Sequence, residues 1–416
     1  MNPAEALTLA AITYRGCEYN LSNPSSRKIV YDEIIKCLKT FSAVKDKWEL
    51  VWGPAGYCPG AIGLDDSAMF AVRNTREPET LAIVIRGTNF FSLRDWETNF
   101  LVDPKPWPYG TPGNDVKVSH STLLGLNILQ ALRSPLAPIE ATTADQVEAT
   151  ADAAKAVAAK AEAAAGYAFL TKMLGGVAPE GTPSFDIEQI FDRIKEKVGV
   201  VEVRHLFGMD DDTALLSDVS AAQRQSGSTK TLLEFLEKFV NAAHGPVDIS
   251  VIGHSKGGAL APALALWLAD TQGAGVPETD QWDPNKRAEL QSLTFAAPTP
   301  GNKSFANHFK DKVQTAYRLD NPYDLVTHAW DPIEIRQIPK LYGHQLAILG
   351  GPAEVLAELA GHFGYQHEVD AKPWSLPLEE RPLPAQIAFN HLDAYLTELG
   401  IPDPGLRFLE VFKPIR

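Results

Sequence analysis

The run Val247-Asp248-Ile249-Ser250-Val251-Ile252 leads directly into Gly253-His254-Ser255-Lys256-Gly257-Gly258, and then into Ala259-Leu260-Ala261. An apolar stretch that suits a buried strand is thus followed by Gly-x-Ser-x-Gly and a helix-forming segment. That context turns a common short pattern into a nucleophile elbow. Glycine at 253 and 257 permits a sharp turn and a close strand–helix approach. The turn lifts the Ser255 hydroxyl from the end of the strand. The helix N-terminus behind it offers N–H groups that favour developing negative charge. The chemistry is nucleophilic attack by serine, which needs a base to take the proton and a group to orient that base. Pro262 falls inside the expected helix, removes one donor, and marks either a kink or a later helix start.

The elements around this turn read as α/β. Short runs bounded by turn residues predict strands at Trp48–Trp52, Met69–Arg73, Leu81–Ile85, Val247–Ile252, Leu293–Ala296 and Gln314–Leu319. Helical spacing covers 3–14, 26–42 (with Ser25 and Ser26 as caps), Thr231–Ala243 and Gly258–Asp270. Strands alternating with helices predict a mostly parallel sheet covered on both faces. Between them, 135–228 has a different character. It is Ala-rich, as in Asp152-Ala153-Ala154-Lys155-Ala156, with larger apolar residues only later, at Tyr167, Phe169, Leu170, Met173 and Leu174. High helix propensity and a thin apolar stripe predict a helical insertion on the core, read as a structural cap or dimerisation element, with a mobile lid as the functional alternative. The expected organisation is 1–134 as the first part of the core, 135–228 as the insertion, and 229–416 as the rest of the core.

The chain has 416 residues and a net charge of −14, long enough for one α/β core with an insertion. The acidic balance argues against non-specific nucleic-acid binding and against strong attraction to anionic membranes. It does not exclude a neutral lipid or small ester. The three cysteines, Cys17, Cys37 and Cys58, are widely spaced and form no CxxC pair; whether any two of them form a disulfide is not legible in the sequence. Asp210-Asp211-Asp212 lacks the spacing of a calcium loop, and no dinucleotide or phosphate-loop glycine motif is present, so no metal or cofactor is expected. The N-terminus lacks the pattern of a secretory signal, and no apolar run is long enough to span a bilayer. The expectation is cytoplasmic by default, although a trimmed sequence or leaderless export would look the same. Oligomeric state is not legible.

Four blocks give the chain a resemblance to class 3 lipases, the family of the fungal triacylglycerol lipases. In order they are Ile83-Val84-Ile85-Arg86-Gly87-Thr88 with Asp95-Trp96 and Asn99; Gly253-His254-Ser255-Lys256-Gly257-Gly258; Thr294-Phe295-Ala296-Ala297-Pro298 with Gly301-Asn302; and Asn321-Pro322-Tyr323-Asp324-Leu325-Val326, with His391-Leu392-Asp393-Ala394-Tyr395 near the end. The resemblance implies an α/β-hydrolase fold and a Ser-Asp-His order. Ser255 is then the nucleophile, Asp324 the acid and His391 the base. Asp320 is the rival acid and Asp331 a weaker one. His367 is the main rival among the histidines after Asp324, which also include His328, His344 and His362. His254 belongs to the elbow and is expected to pack and hydrogen-bond there. The backbone N–H of Lys256 and the loop residue Thr88 would form the oxyanion hole. Two departures stand out: Lys256 replaces the usual apolar residue after the nucleophile, and Ser119-His120-Ser121-Thr122 lacks the family's glycine. Phe90, Phe91, Leu93 and Trp96 lie where the fungal members carry a lid, and packing aromatics is the competing reading for 89–99.

The implied activity is cleavage of carboxylic esters of lipids, as a triacylglycerol lipase or carboxylesterase, through an acyl-serine. The implied partner is an ester or lipid substrate, with a lipid–water interface as one setting. The alternatives are a phospholipase A1 or acyltransferase using the same acyl-enzyme, and a silent lipid- or protein-binding relative.

Overall fold

Continuous apolar runs that bury both faces set the architecture. The computed structural model describes residues 1–17, 19–21, 24–57, 67–87, 103–110, 115–135, 229–273, 281–342, 346, 350–413 and 415. The expected helical insertion, apart from its first residue, and the 89–99 segment lie outside the described residues, as do Thr88, Cys58, His344 and Asp210–Asp212. The central sheet has six strands: β1 (Trp48–Tyr57), β2 (Ser67–Asn74), β3 (Thr80–Ile85), and then, past two short strands β4 (Arg133–Pro135) and β5 (Thr229–Thr231), β6 (Val247–His254), β7 (Ala288–Phe295) and β8 (Thr315–Leu319). The order is β1-β2-β3-β6-β7-β8. β2 runs antiparallel to its neighbours β1 and β3, and β3, β6, β7 and β8 are parallel.

Side chains alternate between two cores. Leu81, Ile83, Ile85, Ile249 and Val251 face one core, with α3 (His120–Ala131), α4 (Leu232–Ala242), α5 (Lys256–Asp270) and α6 (Lys303–Lys312) covering them. Ala82, Val84, Ile252, Leu293 and Leu319 face the other, under α1 (Pro3–Ile12), α2 (Pro24–Thr40) and the C-terminal helices. Period-two alternation in which both sets are apolar is what a strand buried on both faces requires.

Two local expectations change. α2 begins at Pro24, so Ser25 and Ser26 lie in its first turn and do not cap it. Proline is pre-set for a first helical position and lacks the N–H left over there. α5 begins at Lys256 and runs through Pro262, so the start is not displaced. Nearly the whole helix is buried against the sheet, and tertiary packing outweighs a missing donor.

Register carries the sheet's geometry to the site. Ile85 pairs with Gly253, Gly253 with Thr294, and Thr294 with Arg318. The carboxyl ends of the four parallel strands therefore finish in one row. Gly87, Ser255, Ala296 and Asp320 follow that row, where open α/β sheets place their ligands. Away from it, β4 and β5 pair as an antiparallel ribbon, Arg133 with Thr231 and Pro135 with Thr229. Arg133 reaches Glu234 at 2.9 Å, and the Trp52 indole donates to the Lys230 carbonyl at 3.0 Å.

The elbow tolerates no side chain at its first glycine. A Cβ at Gly253 would sit 1.9 Å from the Gly257 carbonyl oxygen. Both partners are backbone and cannot swing aside. Gly253→Ala is expected to lower unfolding free energy by about 3 kcal/mol or more, measured by urea denaturation. A loss below about 1 kcal/mol would mean that strand and helix are free to separate.

Candidate active site

The elbow is a strained backbone held by packing. Ser255 has φ 59° and ψ −132°, a left-handed conformation unusual for a residue with a side chain. Such a residue costs on the order of 1–3 kcal/mol and persists only where its surroundings over-determine it. Here they do. The Ser255 N–H donates to the Phe295 carbonyl at 3.0 Å, and its carbonyl accepts from the Gly258 N–H at 2.8 Å. A Cβ at Gly257 would meet the Ile85 carbonyl oxygen at 2.5 Å, so α5 starts hard against the end of β3. Lys256 opens that helix, and its amide belongs to the first turn, where N–H groups have no intrahelical carbonyl. Gly87 closes the other side: a Cβ there would lie 2.9 Å from the Ser255 Cβ. Thr88, the expected second oxyanion donor, follows Gly87 and lies outside the described residues.

The structure brings Asp324 and His391 together. His391 Nδ1 lies 2.9 Å and 3.1 Å from the two Asp324 carboxylate oxygens. A carboxylate only accepts, so Nδ1 carries the proton and Nε2 is left as the basic nitrogen of the neutral ring. Both side chains are buried. His391 sits in a wide helical turn, Phe389–Asp393, between helices Leu383–Ala388 and Ala394–Glu398. Such π-turns are rare and recur at functional sites. One turn on, the Tyr395 hydroxyl donates to Asp324 at 3.0 Å and accepts from the Asn321 N–H at 2.8 Å. Burial, then Asp324, hold the Tyr395 phenol well above its usual pKa, so it stays a donor.

Asn321 is the staple of this corner. Its amide donates to the Asn390 carbonyl at 3.0 Å and to the Asn390 side chain at 2.9 Å. Its side-chain oxygen accepts from the Tyr323 N–H, and its carbonyl from the Asp324 N–H, each at 2.9 Å. The acid loop and the residue before His391 are thereby fixed to each other. The Val326 N–H also donates to Asp324 Oδ1 at 3.0 Å.

The rivals are engaged elsewhere. His367 is buried with Nε2 3.2 Å from the Thr327 carbonyl. His328 Nδ1 meets the Asp324 main-chain carbonyl at 2.8 Å, not the carboxylate. His362 is exposed. Asp331 caps the helix Pro332–Ile335. Asp320 is buried and turned to Arg318. His254 behaves as expected of an elbow residue that packs and hydrogen-bonds. It lies between Tyr14, whose hydroxyl is 2.7 Å from its Nδ1, and the His391 carbonyl, 2.7 Å from its Nε2. The Tyr14 contact was not legible in the sequence, since nothing in Thr13-Tyr14-Arg15 marks it. Where the resemblance led to the expectation of a glycine, Ser119 caps α3, its side chain accepting from the Thr122 N–H, and His120 pairs with Asp103 at 3.2 Å. Among the described residues, no group of three or more His, Cys, Asp or Glu is placed to hold a metal, and no helix is long and apolar enough to cross a membrane.

The fold has a known counterpart. The crystal structure of M37 lipase aligns over 97% of this chain and 95% of its own, with a TM-score of 0.62 and 24% identity. That likeness shows the α/β-hydrolase fold. Within that fold, the profile of class 3 lipases matches residues 210–332, the stretch that holds Ser255 and Asp324, in agreement with the resemblance drawn from the motifs. Rhizomucor miehei triacylglyceride lipase aligns over 78% of this chain and 72% of its own, at 16% identity and TM-score 0.34, and lipase II from Rhizopus niveus over 78% and 74%, at 14% and 0.34. No curated protein matched the chain.

Behind the acid loop, burial lifts the Asp320 carboxyl to about 7, with Glu368 and Asp324 adding to the rise and Arg318 opposing it. The unfolded chain ionises Asp320 near the ordinary carboxyl value, so the folded state alone keeps the proton between the two. Each pH step from about 4 to about 7 therefore costs the wild type stability at this residue. Asp320→Asn escapes that cost. Its stability relative to wild type is expected to improve by a few kcal/mol at most between pH 5 and pH 8, compared by urea denaturation. A gap that is flat or moves against the variant would contradict the raised value.

Proposed function

We propose that the protein is a serine hydrolase that cleaves carboxylic esters of lipids through an acyl-serine intermediate. The observation that carries this reading is the pairing of a strained serine at the strand–helix turn with an Asp324–His391 pair whose helix abuts that turn. The class 3 lipase match supports a lipid ester as substrate.

In this reading the Ser255 oxygen attacks the ester carbonyl carbon while His391 Nε2 takes the hydroxyl proton. Asp324 keeps the ring in the Nδ1–H tautomer and stabilises the imidazolium without being protonated. The oxyanion is met by the Lys256 N–H at the start of α5, with Thr88 as second donor. Collapse breaks the ester C–O bond, and His391 gives its proton to the departing alkoxide. Water then attacks the acyl-serine, with His391 as base again, and releases the carboxylate and Ser255. Tyr395 holds Asp324 by donating to Oδ2, the same oxygen that lies closer to His391 Nδ1.

An alkylphosphonate ester is expected to add one phosphonyl group at Ser255, located by peptide mass spectrometry, and the adduct is expected to vanish in Ser255→Ala. Asp324→Asn should lower kcat by about 10,000-fold, because an amide facing Nδ1 favours the wrong tautomer. A folded wild-type protein that neither labels nor hydrolyses p-nitrophenyl esters would overturn the reading. Rates on triglycerides, phospholipids and soluble esters decide between lipase, phospholipase A1 and esterase, and acyl transfer to an added alcohol marks an acyltransferase.

A further inference from the structure

Tyr14 lies just past the end of α1, is buried, and makes a polar contact that the proposed reaction does not use. The tautomer of its partner follows from what each atom can accept. The His391 carbonyl 2.7 Å from His254 Nε2 can only accept, so Nε2 bears the proton. Nδ1 of the neutral ring is then a lone pair, and the Tyr14 hydroxyl 2.7 Å away must donate to it. The ring is satisfied at both nitrogens as a neutral imidazole. Neutrality matters, because the His254 and His391 ring centroids are 4.8 Å apart. A cation at His254 would oppose the imidazolium that His391 must become. Burial, and next the His391 charge, hold the His254 ring well below the usual histidine pKa.

The same hydroxyl is pinned on a second side. A Cβ at Gly87 would lie 2.2 Å from the Tyr14 oxygen and 2.5 Å from the His254 carbonyl. The phenol ring packs on Phe412 at 4.9 Å and meets the His254 ring edge-on at 5.7 Å. One residue just beyond α1 thus touches the loop before Thr88, the elbow, and, through His254, the main chain of His391. Packing alone would be served by phenylalanine. The hydroxyl adds the hydrogen bond to His254.

We propose that Tyr14 is a positioning residue for ester cleavage: by donating to His254 Nδ1 it holds His254 as the neutral Nε2–H tautomer, and His254 in turn holds the main chain of His391 against the turn that carries Ser255. This rests on Ser255 and His391 acting as nucleophile and base. In Tyr14→Phe the buried Nδ1 loses its donor, the His254 ring loses one of its two anchors, and His391 is less well placed to take the Ser255 proton. Substrate binding is expected to stay as in the wild type.

The test uses the full chain, wild type and Tyr14→Phe. Tyr14→Phe is expected to unfold cooperatively and still to label at Ser255 with alkylphosphonate. Both its kcat and its phosphonylation rate should fall on the order of tenfold, while KM stays within about twofold of wild type. Nitrogen-15 histidine spectra, with the His254 signals assigned by their loss in His254→Asn, should show the Nε2–H tautomer in wild type. The Nδ1 signal should shift from a hydrogen-bonded to an unbonded position in Tyr14→Phe. A wild-type His254 in the Nδ1–H or cationic form overturns the proposal, even where the variant fails to fold. A folded Tyr14→Phe with kcat within about twofold of wild type overturns it as well. A wild-type protein that neither turns over nor labels sinks the hydrolase reading instead, while the spectra still report whether the Tyr14–His254 bond exists.

Discussion

At the centre of the sheet, the backbone of Gly257 lies against the backbone of Gly253, so close that no side chain fits between them. This contact fixes where α5 begins relative to β6. With strand and helix so near, the single residue bridging them has no room for an ordinary conformation, and Ser255 takes a positive φ. The cost of that conformation is met by the packing of two cores on either side of the sheet. Loosening the contact would let the serine relax into a common backbone region and withdraw its hydroxyl from the row of strand ends. The amide of Lys256 would turn away with it.

The second constraint is polar and buried. A carboxylate such as Asp324 is tolerable out of water only when its oxygens are met by donors. His391, Tyr395 and the Val326 N–H meet them. Each donor is held in turn: Tyr395 by the helix it shares with His391, and the loop by Asn321. The site is therefore orientated by a network and not by one pair. Asp320, four residues before Asp324, shows the contrast. It lies among other acids around the single guanidinium of Arg318, and it keeps its proton to near neutrality.

Much of this was legible in the chain because the signals are local. The apolar runs at 81–85 and 247–252 declare strands buried on both faces, and the glycines around Ser255 declare the turn. Asp324 and His391 were placed by the order of motifs, with Asp320 and His367 left open against them. What separates those pairs is direction, which sequence does not encode: Asp320 turns back to Arg318, and His367 faces the Thr327 carbonyl. The Tyr14 contact joins residues 240 positions apart, with no pattern at either end to announce it. The start of α2 was misplaced because serine is a good cap and also an acceptable first-turn residue, and Pro24 decided between them. For Thr88 and for the helices expected within 135–228, the described residues offer no comparison.

The ribbon of β4 and β5 has a consequence for how such a chain can change. Pro135 and Thr229 are paired across one strand spacing, so the chain leaves the core and re-enters it through the same doorway. The core is closed below that doorway by the Arg133–Glu234 ion pair and the Trp52 bond to Lys230. Because the entropy of closing a loop grows only with the logarithm of its length, what lies beyond the ribbon can lengthen, shorten or be exchanged at little cost to the sheet. The ribbon is thus a seam at which the length of the chain beyond it is uncoupled from the register of the sheet.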